Sequence, residues 1–249
     1  MPPPSAPARP CVGTAGWSVP KETPGPGTHL ERYARLLRCA EINSSFHRPH
    51  KSSTYERWAA STPADFRFAV KVPRDITHDR RLIGCRDALD RFLDESGGLG
   101  TRRGPLLVQL PPSFAYVART AGRFLSLLRA RYDGAVVVEP RHASWFSAPA
   151  DTLLTSHRAG RVGADPPTVT GGGSPAAWPA VQYFRLHGSP RMYWSAYSPA
   201  ALADLAGQLR RAADSGAEVW CVFDNTASGA AFQNARAVHQ KLLRVVRRG

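Results

Sequence analysis

The chain has 249 residues, 43% of them hydrophobic, which supplies one large core and argues against a disordered chain. Its 33 Lys and Arg against 19 Asp and Glu leave a net charge of +14, a balance that favours a polyanion or an anionic small molecule as partner. No apolar run reaches the length of a membrane span, and the four cysteines form no CxxC pair, so neither a zinc ribbon nor a disulfide framework is indicated.

The cysteines, Cys11, Cys39, Cys85 and Cys221, read as small apolar residues in a reducing compartment, and the expected location is the cytoplasm. Lysine occurs only at 21, 51, 71 and 241, so most of the positive charge is arginine, a bias that coding composition alone can produce.

In chain order, Met1 to Pro10 is proline-rich without the apolar stretch of a secretory signal and is expected to be a flexible tail. From there, short apolar strands alternate with segments of helical period. Strands are expected at 11–17, 40–46, 67–73 and 106–110, with helices at 30–38, 52–60, 85–95 and 118–132 between and after them. The next strand is carried by Gly134 to Trp145. Three consecutive valines are what a strand buried on both faces looks like, and Pro140 ends its pairing just where Glu139, Arg141 and His142 appear. A helix at 149–158 and a sixth strand at 161–165 follow. Residues 166–179 hold four prolines and a triple glycine, too many breakers for a crossover helix. The remaining expectations are a strand at 181–188, a helix at 199–213, a strand at 218–225 and a closing helix at 230–246.

Eight strands separated by helices is the count of a single (β/α)8 TIM-type barrel over residues 11–249, its sixth crossover helix shortened or replaced by the Pro/Gly-rich loop. In such a barrel the carboxyl ends of the strands share one mouth. The residues placed there are Asn43, Lys71, Gln109, Glu139, Arg141, Asp165, Arg185, His187 and Asn225, with three obligate cations against two carboxylates. That excess suits a bound phosphate or carboxylate.

Each candidate has a plainer reading. Arg185 can pair with Glu139 or Asp165 as a buried structural ion pair. His187 can be a satisfied core histidine and Lys71 a solvated rim residue. His47 and His50 read as surface. Trp17, Trp145 and Trp194 are either core edge or a stacking floor for a ring. Glu139, His142, Asp165 and His187 are donor types a divalent ion accepts, but no HxH, HExxH or DxD spacing is present and arginines stand among them, so no metal is expected.

The blocks Gly13 to Trp17, Glu41 to Phe46, Phe68 to Lys71 with Thr77-His78, Val108 to Phe114, Glu139 to Trp145, Arg185 to Gly188, Asn225-Thr226 and Gly229 resemble the pattern of the DUF72 (YecE-like) family, over roughly residues 11–240. The resemblance implies a TIM barrel of unsettled biochemical function. A likeness between such mouths and endonuclease IV-type barrels implies nucleic-acid binding as an alternative. The chain departs from the family pattern in three places. Val19 and the loop Pro20 to Gly27 stand where aromatics are usual, His47 replaces a tyrosine after Phe46, and the dense zinc-ligand set of endonuclease IV is missing.

The expected function is an enzyme acting on an anionic, phosphate-bearing substrate at the mouth. Glu139, His187 and Asp165 are its acid, base and orienting groups, and Lys71, Arg141, Arg185, Asn43, Gln109, His142, Asn225, Trp17 and Trp145 bind the substrate. The competing expectations are a nucleic-acid-binding module without chemistry and a Schiff-base lyase using Lys71. The cofactor and protein partners are unassigned, and no membrane partner is expected.

Overall fold

The computed structural model describes residues 9–246, with side chains through Leu243; residues 1–8 of the expected tail lie outside the described residues. The valine run forms a strand that is buried at every position, as its sequence demands, and its neighbours assemble around it. In chain order the elements are β1 Cys11–Ala15, α1 His29–Ala34, β2 Cys39–Ile42, α2 Ser44–His47, α3 Ser52–Ala60, β3 Arg67–Lys71, α4 Arg86–Gly97, β4 Arg103–Gln109, α5 Ala118–Arg129 and β5 Val136–Glu139. They continue with α6 Ala148–Ser156, β6 Ala159–Arg161, β7 Gly163–Asp165, β8 Ala176–Ala177, β9 Val181–Leu186, α7 Pro199–Asp214, β10 Glu218–Phe223 and α8 Ala230–Val246.

The strands make one ten-stranded sheet in the order β7-β9-β10-β1-β2-β3-β4-β5-β6-β8, parallel at every pairing except β6 with β8. The sheet curls into a nearly closed barrel. Strands β6 and β7 are separated only by Val162, yet β6 pairs with β5 at one end of the order while β7 pairs with β9 at the other.

Two expectations are corrected. The sixth strand, expected as one piece over 161–165, is two three-residue strands, because it serves a different neighbour on each side of Val162. The second strand, expected to run to Phe46, ends at Ile42. Asn43 takes helical dihedrals (φ −92°, ψ −19°), and the Ser45 hydroxyl donates to the Ile42 and Lys71 carbonyls, turning the chain into α2. Residues 166–180 hold no helix, only β8, which lies antiparallel on β6.

Alternation along the strands sorts the side chains into two cores. Outward residues such as Ile42, Phe68, Val70, Val138 and Phe184 pack beneath the helices. Inward residues, among them Cys39, Ala69, Leu107, Val137, Tyr183 and Val222, form a smaller apolar plug within the barrel. Its floor is the Tyr183 ring stacked on Trp220, with centroids 6.2 Å apart. Glycine at 104 is what lets the indole lie there, since a Cβ at that position would stand 2.5 Å from the Trp220 ring.

Candidate active site at the barrel mouth

Two residues beyond each apolar inward position the same face turns polar. Cys39 is followed by Glu41, Ala69 by Lys71, Leu107 by Gln109, Val137 by Glu139, Tyr183 by Arg185 and then His187, and Val222 by Asp224. The period of two lifts one charged or amide group per strand onto the plug, and the barrel's curvature points them at each other.

Arg185 is the hub. Its Nε lies 3.1 and 3.2 Å from the two Glu41 oxygens, its Nη1 3.1 Å from both Gln109 Oε1 and Glu139 Oε2, and its Nη2 2.7 Å from Glu41 and 3.0 Å from Asp224. Of the five guanidinium N–H donors, four are hydrogen-bonded, to Glu41 twice, Gln109 and Glu139, while Asp224 faces Nη2 as an ion pair, so little of Arg185 is left for a bound anion. The Tyr183 hydroxyl donates to Glu41 at 2.7 Å and completes that carboxylate's shell. Arg185 is 1% exposed and Glu41 and Glu139 are fully buried, so this network survives desolvation only because every member is paired.

His187 stands above the hub between two carboxylates. Nδ1 lies 3.1 Å from Asp224 Oδ2, and because a carboxylate only accepts, Nδ1 carries a proton. Nε2 lies 2.8 Å from Glu139 Oε1 and 2.7 Å from Arg141 Nη2, which itself is 2.8 Å from the same Glu139 oxygen. The geometry therefore admits two states at Nε2: protonated and donating to Glu139, or bare and accepting from Arg141. Burial pushes the Glu139 carboxyl up, but Arg185, Arg141 and His187 outweigh it and hold the group well below the usual carboxylate range. Burial likewise opposes ionisation of Asp224, and Arg185 and His187 reverse it. Burial alone would weaken the Arg185 cation; Glu41, Asp224 and Glu139 more than restore it.

Lys71 is the exception in this saturated cluster. Its ammonium sits 4.1 Å over the Phe46 ring and, among the described residues, within 4.0 Å of no carboxylate. Burial, with Arg185 nearby, pushes its pKa down to about 8 against the upward pull of Glu41, Glu139 and Asp224. It is 8% exposed, at the edge of the mouth. Of the six side-chain polar atoms buried without a partner among the described residues, three belong to residues expected at the mouth: Arg141 Nε, Asn43 Oδ1 and Asn225 Oδ1. The Asn225 amide is oriented by its own network, because Nδ2 donates to Ser195 O and to Asn234 Oδ1, which also accepts from Tyr197 N.

Other expected site residues lie outside the cluster's contacts. Asp165 accepts from the Tyr197 hydroxyl at 2.6 Å, and that hydroxyl accepts in turn from the Gly188 amide, so Asp165 fixes the backbone that follows His187. His142 caps a short turn, accepting from Ser144 N. Trp145 is core, 2% exposed, with its indole N–H donating to Phe114 O; Trp17 packs edge-on against Trp58 and Phe68. Glu41, Asp224 and Tyr183 are the members that the sequence reading did not place at the mouth. A lone acid between Ala40 and Ile42, and the parity of Asp224 with Val222, were the signals that pointed inward.

Over the mouth runs the segment Ser189 to Tyr197. Its backbone is tied down: Tyr193 N donates to His187 O, Ala227 N to Tyr193 O at 3.0 Å, and Asn225 to Ser195 O. The Tyr193 ring stands edge-on to His187 at 5.5 Å, and Trp194, 47% exposed, carries the Arg191 guanidinium on its face. Among the described residues no group of three or more His, Cys, Asp or Glu is arranged to hold a metal ion, and no helix is long and apolar enough to cross a membrane.

The family described as "Protein of unknown function DUF72" matches residues 11–248. The UPF0759 protein YecE of Escherichia coli (strain K12) is 34% identical over 137 residues, 55% of this chain and 50% of YecE, so the chain matches about half the length of that relative. The UPF0759 protein YunF of Bacillus subtilis (strain 168) is 22% identical over 264 residues, 93% of this chain and 94% of YunF. Among solved structures, a DUF72 family protein of Thermotoga maritima superposes with a TM-score of 0.78 at 24% identity, covering 95% of this chain and all of that one. One from Enterococcus faecalis gives 0.76 at 19% identity over 93% and 94%. At these identities the structural likeness speaks for the fold alone.

Proposed function

Since the chain belongs to the DUF72 family, whose description assigns no activity, function has to be argued from the mouth, and we propose that it seats a small phosphate-bearing substrate and moves a proton on it through His187. The observation that carries this reading is the unspent polarity at the rim of an otherwise saturated network. The ammonium of Lys71 and the Nε of Arg141 are cationic groups with capacity left, the combination an anion fills. Asn43 and Asn225 each keep a buried carbonyl oxygen without a donor, and a hydroxyl on the same substrate satisfies such an oxygen.

In this reading Arg185, buried and ion-paired with Glu41, Glu139 and Asp224, positions those carboxylates and does not touch substrate. Glu139, held ionised, is a poor proton donor near neutral pH, so it and Asp224 orient the imidazole. The Nε2 proton is the mobile one, passing between imidazole and substrate while Glu139 and Arg141 stabilise either state. Asp165 acts at one remove, through Tyr197 and Gly188.

The test is a thermal-shift and turnover screen of the full chain with inorganic phosphate and a panel of small phosphomonoesters, read beside Lys71→Met and Arg141→Gln. A ligand at about a hundred times its Kd adds about 2.7 kcal/mol to the folded state, an easily resolved rise in Tm. Both variants are expected to lose that rise. No shift by any member of the panel, or shifts the variants retain, would refute the reading.

A second reading rests on Tyr193 and Trp194, exposed beside His187: a nucleic-acid strand stacking there, with backbone phosphates on the basic rim. It predicts binding of single-stranded DNA that falls steeply with salt and drops on Trp194→Ala. The depressed pKa of Lys71 also suits imine formation, and a borohydride-trapped adduct at Lys71 would establish that chemistry.

A further inference from the structure

Away from the mouth, a groove of about 620 Å³ lies between the loop entering α4 and the first turns of α5. One wall is formed by Thr120, Phe124 and Leu127 of α5, spaced i, i+4 and i+7, which border the core-facing side of the helix. The other wall is the loop Leu82 to Cys85. That loop is held rigidly: Arg80 pairs with Asp75 and donates to Gly84 O at 3.2 Å, Leu82 N donates to Ile76 O at 2.9 Å, and Arg81 donates to Ser113 O at 2.9 Å while stacking on Phe114. Leu82 takes φ +67°, a left-handed conformation that costs a branched side chain energy and persists only where its surroundings impose it.

The groove carries Ile83, at 65% the most exposed large apolar side chain among the described residues. It also carries Arg86, Arg119 and Arg123. None of these arginines lies within 4.0 Å of a carboxylate among the described residues, and no Asp or Glu lines the groove. Arg119 and Arg123 are four apart, so they flank the α5 wall on one side while Arg86 stands across from it. The N-terminal ends of α4 and α5, neither with a side-chain cap, add positive potential to the same place.

We infer that this groove docks an acidic amphipathic helix from a partner protein, with apolar side chains at i, i+3 or i+4 and i+7 seated between Phe124 and Ile83 and carboxylates on the three arginines. The mixed lining favours an amphipathic helix over a small anion, because Leu127 and the exposed Ile83 offer apolar contact beside Arg86, Arg119 and Arg123. Charge opposes a second copy of the chain, which carries +14 itself.

The experiment titrates the full chain into fluorescein-labelled helical peptides of about 18 residues: one with leucines at that spacing flanked by glutamates, one with lysines replacing the glutamates, one with serines replacing the leucines. Anionic phosphatidylglycerol vesicles and sedimentation of the chain alone run in parallel. The acidic leucine peptide is expected to bind saturably, and its affinity to fall about tenfold or more in Ile83→Asp and in the Arg119→Glu/Arg123→Glu double variant, with melting curves unchanged. Lys71→Met is expected to bind like wild type, which separates this surface from the mouth. The inference is overturned if no peptide saturates, if the lysine or serine peptide binds equally, if the groove variants bind like wild type, or if Ile83 instead mediates vesicle binding or self-association.

Discussion

Replacing Lys71 with methionine is expected to make the protein more stable at neutral pH while emptying the mouth of its unpaired cation. The amine's pKa lies at about 8 in the fold against an ordinary 10.5, so the fold holds a cation it would prefer to be neutral. Below about pH 8 the amine is protonated in both states, and the folded state carries the whole penalty. Between about 8 and 10.5 the unfolded chain binds the extra proton, so stability rises with pH until both forms are neutral. The gap between the two values corresponds to about 3 kcal/mol at pH 7 and about 1.5 kcal/mol at pH 9.5. Methionine fills similar space over Phe46, and Glu41, Glu139 and Asp224 keep Arg185. Urea unfolding of both proteins at the two pH values is the assay. A gain near 3 kcal/mol that roughly halves at the higher pH is expected. No gain at pH 7, or one that grows with pH, refutes the argument that Lys71 is held against its preference, and with it the case that the residue is kept for binding.

Three further outcomes follow from the geometry. Glu139→Gln leaves Arg185, Arg141 and His187 short of a carboxylate and is expected to cost about 3 kcal/mol or more at pH 7. Because Glu139 is depressed below its ordinary 4.5, its contribution is present above that pH and fades as pH falls further, so urea midpoints of the variant should decline less between pH 5 and 3 than those of wild type. Tyr197→Phe removes the hydroxyl between Asp165 and the Gly188 amide, for a loss of about 1–2 kcal/mol by thermal unfolding. Gly13→Ala brings a Cβ to within 1.9 Å of the Cys39 carbonyl oxygen, backbone that cannot step aside, and is expected to cost about 3 kcal/mol or to prevent soluble expression; wild-type melting would contradict the strand spacing.

The barrel-like sheet was legible because its strands are short, apolar on both faces and punctuated by proline and glycine; the valines of β5 leave no other reading. The helix at 52–60 and the one closing the chain at 230–246 also fall where the period puts them. What the sequence concealed was pairing. Nothing local tells residues 159–165 to serve β5 with one half and β9 with the other, since that division is a property of the closed sheet. Asn43 hid its helical dihedrals for a similar reason: the Ser45 bond to Lys71 O comes from 26 residues away. At the site, Glu139, Arg185, His187 and Lys71 could be read as strand-end chemistry. Glu41 and Asp224 carry weaker signals, a lone acid inside an apolar strand and parity with Val222, because barrel curvature sets how deep that inward row lies. The consequence is electrostatic: an apparent excess of cations becomes a balance of Lys71, Arg141 and Arg185 against Glu41, Glu139 and Asp224.

Arg185 also has a mechanical meaning. Through one side chain, β9 is fastened to β2, β4 and β5 and to the residue that follows β10, strands that are not all neighbours in the sheet. Such a crossbar couples opposite staves, so one stave cannot separate without dropping a buried charge belonging to another. Amide protons on β2, β5 and β10 should then exchange with solvent together, at the rate of global opening, while the helices outside loosen on their own schedules.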